Sequence, residues 1–329
     1  MQFDVNCNNI LSLEIYMILS MILIIIGFVL LIKGADFLVT GSSSIAKKFN
    51  ISEIVIGLTI VSIGTSMPEL FISVTSALEG RSNLTIGNVV GSNISNLFLI
   101  LGISGILKAI PLKKETKFID IPMCLFITIV FVTLCNIGTT ITRAKGIYLI
   151  ILFVLFIIYT FIISKELQKD EEKSENIEVK QSTLKSIFYI ALGIIGLRIG
   201  GDLTVNNAVK IAETLNLSEK VISITILAIG TSLPELVTSI TAGLKNESDI
   251  AIGNILGSNI FNMLLIIGTS AIIKPIEYDL SYNKDMAFMI MGTLLLWMFS
   301  IIPPKNKINR SKGLIYFSLY AVYMVMLFI

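Results

Sequence analysis

The chain has 329 residues, of which 54% are hydrophobic and 15% charged, and a mean hydropathy of +0.86, far outside the range of a water-soluble domain of this size. Histidine is absent, which removes Ser-His-Asp and Cys-His catalysis, His-based metal sites and histidine proton switching. The 3 cysteines, Cys7, Cys124 and Cys135, lie far apart without a C-x-x-C, so neither a disulfide framework nor a zinc site is indicated, and a net charge of +2 says little where the placement of charge outweighs its sum.

Residues 1–14 form a short N-terminal segment ahead of the first apolar run, near 15–33. No lysine or arginine precedes that run and no small-residue cleavage site follows it, so it reads as a retained membrane helix. Further runs long enough to cross roughly 30 Å of hydrocarbon follow near 51–78, 84–107, 118–135 and 147–163. Residues 164–183 carry both charge signs and few apolar side chains, the composition of a solvated linker. Runs near 184–200, 217–244, 250–273, 286–302 and 314–329 complete the chain. These lengths exclude barrel strands, which are about ten residues and alternate. The expectation is an all-α membrane protein with ten transmembrane helices. With both termini outside, most of the 25 basic residues fall in inward loops, among them Lys47, Lys48, Lys113, Lys114 and Lys117, so the positive-inside rule favours that orientation in the cell membrane.

Residues 64–102 and 230–268 align without a gap at a constant offset, with 21 of 39 positions identical. This internal duplication extends upstream through Gly34 and Gly200, Asp36 and Asp202, Ser52-Glu53 and Ser218-Glu219, and Thr59 and Thr225. Two units follow, 15–163 with its motif at 62–102 and 184–329 with its motif at 228–268. Each holds five spans. An odd number turns the second unit upside down in the membrane, giving two inverted five-helix repeats.

Both motifs set a carboxylate directly after a proline within an apolar run: Pro68-Glu69 and Pro234-Glu235. Proline opens one helical turn and frees carbonyl oxygens, which is tolerated at membrane depth only against protein or a hydrated cavity. Thr65, Glu69 and Ser73 recur at four-residue intervals, as do Asn88, Ser92 and Asn96 in the next run, with Gly87 and Gly91 allowing close approach. The second unit repeats the pattern with Thr231, Glu235, Ser239, Asn254, Ser258 and Asn262. A duplicated intramembrane carboxylate without lysine or arginine in the same segment points to an exogenous cation. Carboxylates, hydroxyls, amide oxygens and freed carbonyls suit hard cations, Ca²⁺ or several Na⁺. One Ca²⁺ would neutralise two glutamates, whereas the ionised site alone would be costly to carry through an occluded state, so reorientation should require bound cations. Asp36 and Asp202 are expected to pair locally, with Lys33 and Arg198. The Asn93-Ile94-Ser95 tripeptide matches a glycosylation pattern but lies within a span.

At "GTSMPE" with "GNVVGSNISN", and "GTSLPE" with "GNILGSNIFN", the chain resembles the calcium/cation antiporter superfamily, in its prokaryotic sodium/calcium exchanger branch. The resemblance implies a secondary antiporter exchanging Na⁺ for Ca²⁺ by alternating access, with four core helices around the ions and the first and sixth helices sliding outside them. By motif position it implies cation ligands at Ser62, Thr65, Ser66, Glu69, Ser92 and Asn96, and at Ala228 through its carbonyl, Thr231, Ser232, Glu235, Ser258 and Asn262. Many prokaryotic members and the potassium-dependent branch carry Asp at the position of Asn262, so K⁺ co-transport is disfavoured. No catalysis, resident cofactor or nucleic-acid partner is expected, and a single chain in the bilayer should suffice. Ca²⁺/H⁺ antiport is the alternative; a cation channel or an intramembrane enzyme fits the duplicated motifs less well.

Overall fold

The computed structural model describes residues 2–171, 182–215, 228–304 and 306–327. The central part of the expected linker, 172–181, and the segment 216–227 with Ser218, Glu219 and Thr225 lie outside the described residues.

Helix α1, Gln2–Lys48, extends well past the apolar run that ends near residue 33. Many of the residues beyond are small, and Ala35, Ser42, Ser43 and Ala46 are buried. Helix α2, Glu53–Thr65, and α3, Met67–Glu79, meet at a bend of 52°. Then come α4, Ser82–Leu107, and α5, Thr116–Asn136. Helix α6 spans Arg143–Glu171 and so runs into the expected linker before the described residues stop. Helix α7, Thr183–Thr214, begins the second half. Helices α8, Ala228–Thr231, and α9, Leu233–Leu244, follow, and then α10, Ser248–Ile273, α11, Leu280–Ile301, and α12, Arg310–Met326.

Among the described residues, 7 helices are long and apolar enough to cross a membrane, or 8 with the bent α2–α3 pair taken as one span. The protein is therefore a helical, multi-pass membrane protein. Its only extended pieces among the described residues are four two-residue strands that tie loops together, β1 (Ile110–Pro111) with β4 (Lys307–Ile308) and β2 (Thr140–Ile141) with β3 (Ile276–Glu277), both antiparallel.

Burial sorts the helices into two groups. In their most apolar windows α4 is 83% and α10 is 94% buried, against 22% for α1 and for α6, so α4 and α10 form the centre and α1 and α6 face lipid. Ile18, Ile22, Ile25 and Val29 of α1 and Ile147, Ile151 and Leu155 of α6 are exposed, as hydrocarbon contact requires.

Between apolar helices in lipid, close van der Waals packing replaces the hydrophobic drive, and small residues permit it. Helices α1 and α7 meet through glycines in a reciprocal pattern. A Cβ on Gly34 would lie 2.9 Å from the Gly193 carbonyl, and one on Gly27 the same distance from the Gly200 carbonyl. The central crossing of α2 and α10 is built likewise: a Cβ on Gly57 would sit 3.0 Å from the Gly253 Cα. Gly87, the counterpart of Gly253, instead faces the Tyr282 hydroxyl at 3.2 Å, a side chain rather than a backbone.

Asp36 does not pair with Lys33. Its carboxylate meets Lys245, which also donates to Thr40 Oγ1 at 2.7 Å. A lysine across the α1–α9 contact displaces the one three residues away on the same helix. Asp202 does take its local partner, Arg198, at 3.0 Å.

Candidate cation site

The two prolines set the local geometry. Neither Pro68 nor Pro234 can donate a backbone hydrogen bond, and both sit in the first turn of a new helix, the position where that loss costs least. The residue at each break has nearly the same conformation, φ −86° and ψ 10° at Ser66, φ −89° and ψ 6° at Ser232. The chain thus breaks twice in the same way. Thr65 and Glu69 consequently do not share one continuous helical ladder: Thr65 ends α2 and Glu69 lies in the first turn of α3.

Glu69 and Glu235 each occupy the first turn of a helix that starts in the interior, where unpaired N–H groups and the helix dipole favour negative charge. Each glutamate is 1% exposed. The preceding helices end at the same breaks, turning carbonyl ends toward them, an arrangement suited to a cation held between half-helices.

Two asparagines brace the breaks. Asn88 donates to the Glu69 carbonyl at 3.2 Å and to Ser73 Oγ at 2.9 Å. Asn254 does the same for the Glu235 carbonyl at 3.3 Å and Ser239 Oγ at 3.0 Å. The halves also bond directly: Thr65 donates to Asn254 Oδ1 at 3.0 Å, and Ser66 to Glu235 Oε1 at 2.8 Å. The two proline–glutamate motifs therefore face one another.

Asn96 and Asn262 lie where α4 and α10 widen into π-helical turns, Ser95–Ile100 and Asn262–Ile266, a departure from regular helix that recurs at functional sites. Their side-chain nitrogens cross to the opposite half, Asn96 to Asn259 Oδ1 at 3.0 Å and Asn262 to Asn93 Oδ1 at 2.9 Å.

Among the described residues, both Glu69 carboxylate oxygens, Glu235 Oε2, Asn96 Oδ1, Asn262 Oδ1, Ser232 Oγ and Ser258 Oγ are buried without a hydrogen-bond partner. These atoms belong to sequence-predicted site residues; Ser42, Ser95, Ser104, Thr116, Asp120, Thr238 and Ser270 also carry a partnerless buried oxygen, outside the predicted set and without its paired carboxylates. Leaving one such group unsatisfied costs about 1–3 kcal/mol, and more when it is charged. A cluster of them is the signature of a site built for something that supplies positive charge to oxygens.

Of the other candidates, Ser62 and Ser92 are buried, and Ser62 donates back to the Leu58 carbonyl at 2.8 Å, leaving its oxygen lone pairs available. Thr231 is half-buried, and Ala228 opens α8. Sequence reasoning missed Asn93 and Asn259. The available signal was their recurrence at the duplication's own offset of 166 residues, three positions before each candidate asparagine. Asn93 is 0% exposed, which removes it as a glycosylation acceptor.

A cavity of about 360 Å³ opens beside the first break, lined by Gly64, Thr65, Pro68, Phe71, Arg198 and Pro234 among others. It places α7 next to both prolines, with the Arg198 guanidinium 5.9 Å from the centre of the Phe71 ring.

The profile of the family described as "Sodium/calcium exchanger protein" matches residues 19–162 and again 185–329, one match for each half. The chain is 37% identical to the putative antiporter CaxA of Alkalimonas amylolytica, covering 95% of this chain and 99% of that protein. It is 32% identical to the sodium/calcium exchanger MaX1 of Methanosarcina acetivorans, covering 94% and 98%. A solved structure of the sodium-calcium exchanger NCX_Mj, soaked with Na⁺ and Ca²⁺, superposes with a TM-score of 0.81 at 32% identity, over 94% of this chain and 98% of that one.

Proposed function

The chain belongs to the sodium/calcium exchanger family, and on that premise we propose that it is an antiporter exchanging Na⁺ for Ca²⁺ across the cell membrane by alternating access. The observation that carries the reading is the set of partnerless buried oxygens from Glu69, Glu235, Asn96, Asn262, Ser232 and Ser258. Two carboxylates and neutral oxygens, without sulfur or imidazole, make a donor set for hard cations. Ser62, Thr65, Ser66, Ser92, Thr231 and the Ala228 carbonyl complete it. The cations are cargo, held in passing, and not a resident cofactor. One chain supplies every donor, so a monomer suffices.

Ten spans in two inverted five-helix units accommodate the architecture. The repeated breaks at Ser66 and Ser232, the reciprocal glycine contacts of α1 with α7 and the crossed asparagine bonds all relate residues at the duplication offset, which supports this arrangement. Both termini are assigned to the outside by the lysines of the inward loops. Helices α1 and α7 touch each other along glycines and expose apolar faces, the features of a pair able to slide over a fixed core.

Exchange follows from the electrostatics. Two buried carboxylates with no ion-pair partner among the described residues, Arg198 being taken up by Asp202, oppose passage of the empty site through an occluded state, and bound cations relieve that cost. Counting charges favours one Ca²⁺ against several Na⁺. The test is ⁴⁵Ca²⁺ uptake into proteoliposomes loaded with Na⁺, compared with vesicles that are Na⁺-free and acidic inside. Uptake driven by internal Na⁺ is the expected result. Uptake driven only by the proton gradient would replace Na⁺ with H⁺ as the coupling ion, and uptake needing neither would make the protein a channel.

A further inference from the structure

We propose that Asn93 and Asn259 are positioning residues that fix which end of the Asn262 and Asn96 amides faces the transported cation. The inference rests on the cation site proposed above.

A side-chain amide has two ends of similar shape and opposite polarity, and only its oxygen can ligate a cation. Something must therefore hold the NH₂ end away from the site. Asn262 Nδ2 donates to Asn93 Oδ1 at 2.9 Å and Asn96 Nδ2 donates to Asn259 Oδ1 at 3.0 Å, so each amide nitrogen is tied to the opposite half. Asn93 is itself oriented, since its Nδ2 donates to the Asn259 carbonyl at 3.3 Å and approaches Met289 Sδ at 3.5 Å. All four asparagines are buried, with no solvent to substitute for a lost partner.

The oxygens left over are Asn96 Oδ1 and Asn262 Oδ1, both without a partner among the described residues. If either amide turned over, its oxygen would face the oxygen of the asparagine behind it, and its NH₂ would point at the cation. The crossed pair thus acts as a latch on two neutral ligands, and it joins the halves at the same time. An outer partner that fixes a ligand in this way typically controls metal affinity by about 10–100-fold.

A carboxylate needs no such latch, because either oxygen can ligate. That difference separates orientation from mere packing. The experiment is equilibrium binding of ⁴⁵Ca²⁺ to the purified full chain in detergent, for wild type, Asn93→Ala, Asn262→Asp and the double variant Asn93→Ala/Asn262→Asp. Asn93→Ala should weaken Ca²⁺ binding by about tenfold or more. The double variant should bind within about twofold of Asn262→Asp alone.

Unchanged affinity in Asn93→Ala overturns the proposal, and so does a double variant as impaired relative to Asn262→Asp as Asn93→Ala is relative to wild type. Should Asn93→Ala fail to fold, the double variant decides: folding and binding like Asn262→Asp supports the latch, and misfolding where Asn262→Asp folds assigns Asn93 to the scaffold and overturns it. Wild-type protein that binds no Ca²⁺ would defeat the cation-site reading itself, a result distinct from either.

Discussion

Ser66 donates its hydroxyl to Glu235 Oε1 across 2.8 Å, whereas Ser232, its counterpart in the second motif, has no partner among the described residues. The two halves share backbone conformation at their breaks but differ in this bond. A hydrogen bond to a charged group contributes about 1.5–3 kcal/mol. Ser66→Ala should therefore lower the thermal stability of the cation-free protein clearly more than Ser232→Ala. Melting temperatures in detergent with a chelator measure both; equal effects would show that the asymmetry is not a property of the resting state.

Glu69→Gln and Glu235→Gln separate function from folding. Each removes half the negative charge of the site, and truncating one partner of a buried charge pair typically costs about 2–5 kcal/mol, so ⁴⁵Ca²⁺ exchange should fall by at least about thirtyfold. Burying a neutral amide costs less than burying a carboxylate without a counter-ion. Both variants should thus be at least as stable as wild type in cation-free buffer. Near-normal flux in either, or gross loss of folded protein, would count against the roles assigned here.

The α1–α7 contact leaves no room for a side chain at Gly27, Gly34, Gly193 or Gly200. A Cβ on Gly193 would come within 2.6 Å of the Leu38 backbone nitrogen and 2.8 Å of the Gly34 carbonyl. Gly193→Val should force the helices apart and destabilise the protein by about 1–3 kcal/mol or more. Thermal unfolding reads the loss. The same substitution at Gly243, where nothing lies within 4 Å of a Cβ among the described residues, is the control.

One end of α1 is held electrostatically. Lys47 meets Glu53 at 3.3 Å and Glu247 at 3.1 Å, and Ser43 donates to Glu247 at 2.8 Å. At Glu247, burial acts to raise the carboxyl, but hydrogen bonds from the Glu53 carboxyl in its protonated form, from Ser43 and from Lys47 outweigh it and hold the group below its ordinary value of 4.5. A depressed carboxyl contributes stability above its unfolded value and loses it as pH falls through the folded one. Glu247→Gln should accordingly melt lower than wild type at pH 7, by an amount equivalent to up to about 1 kcal/mol given the partial exposure. The gap should close on acidification below the ordinary carboxylate value. A pH-independent gap would place the effect in packing.

The glutamates were legible in the sequence because an intramembrane carboxylate is costly and a duplicated one beside a proline has few other uses. The seven-residue glycine spacing of α1 was not read, since a helix surface shows its meaning only once α7 lies against it. Local rules also misled. Lys33 stood at ion-pair spacing from Asp36, yet Lys245, distant in sequence, takes that carboxylate. Ending the first span near residue 33 followed from the polar residues after it, which the fold buries against its neighbours. Asn93 and Asn259 escaped notice because their partners lie across the halves, and no periodicity within one helix reports such a contact.

The central claim is that Glu69 and Glu235 bind a single divalent ion jointly. Equilibrium dialysis of the purified chain against ⁴⁵Ca²⁺ tests it most directly. The account predicts one Ca²⁺ per chain, displaced by Na⁺ and lost in Glu69→Gln and Glu235→Gln alike. Two Ca²⁺ per chain, each removed by only one of the substitutions, would contradict it.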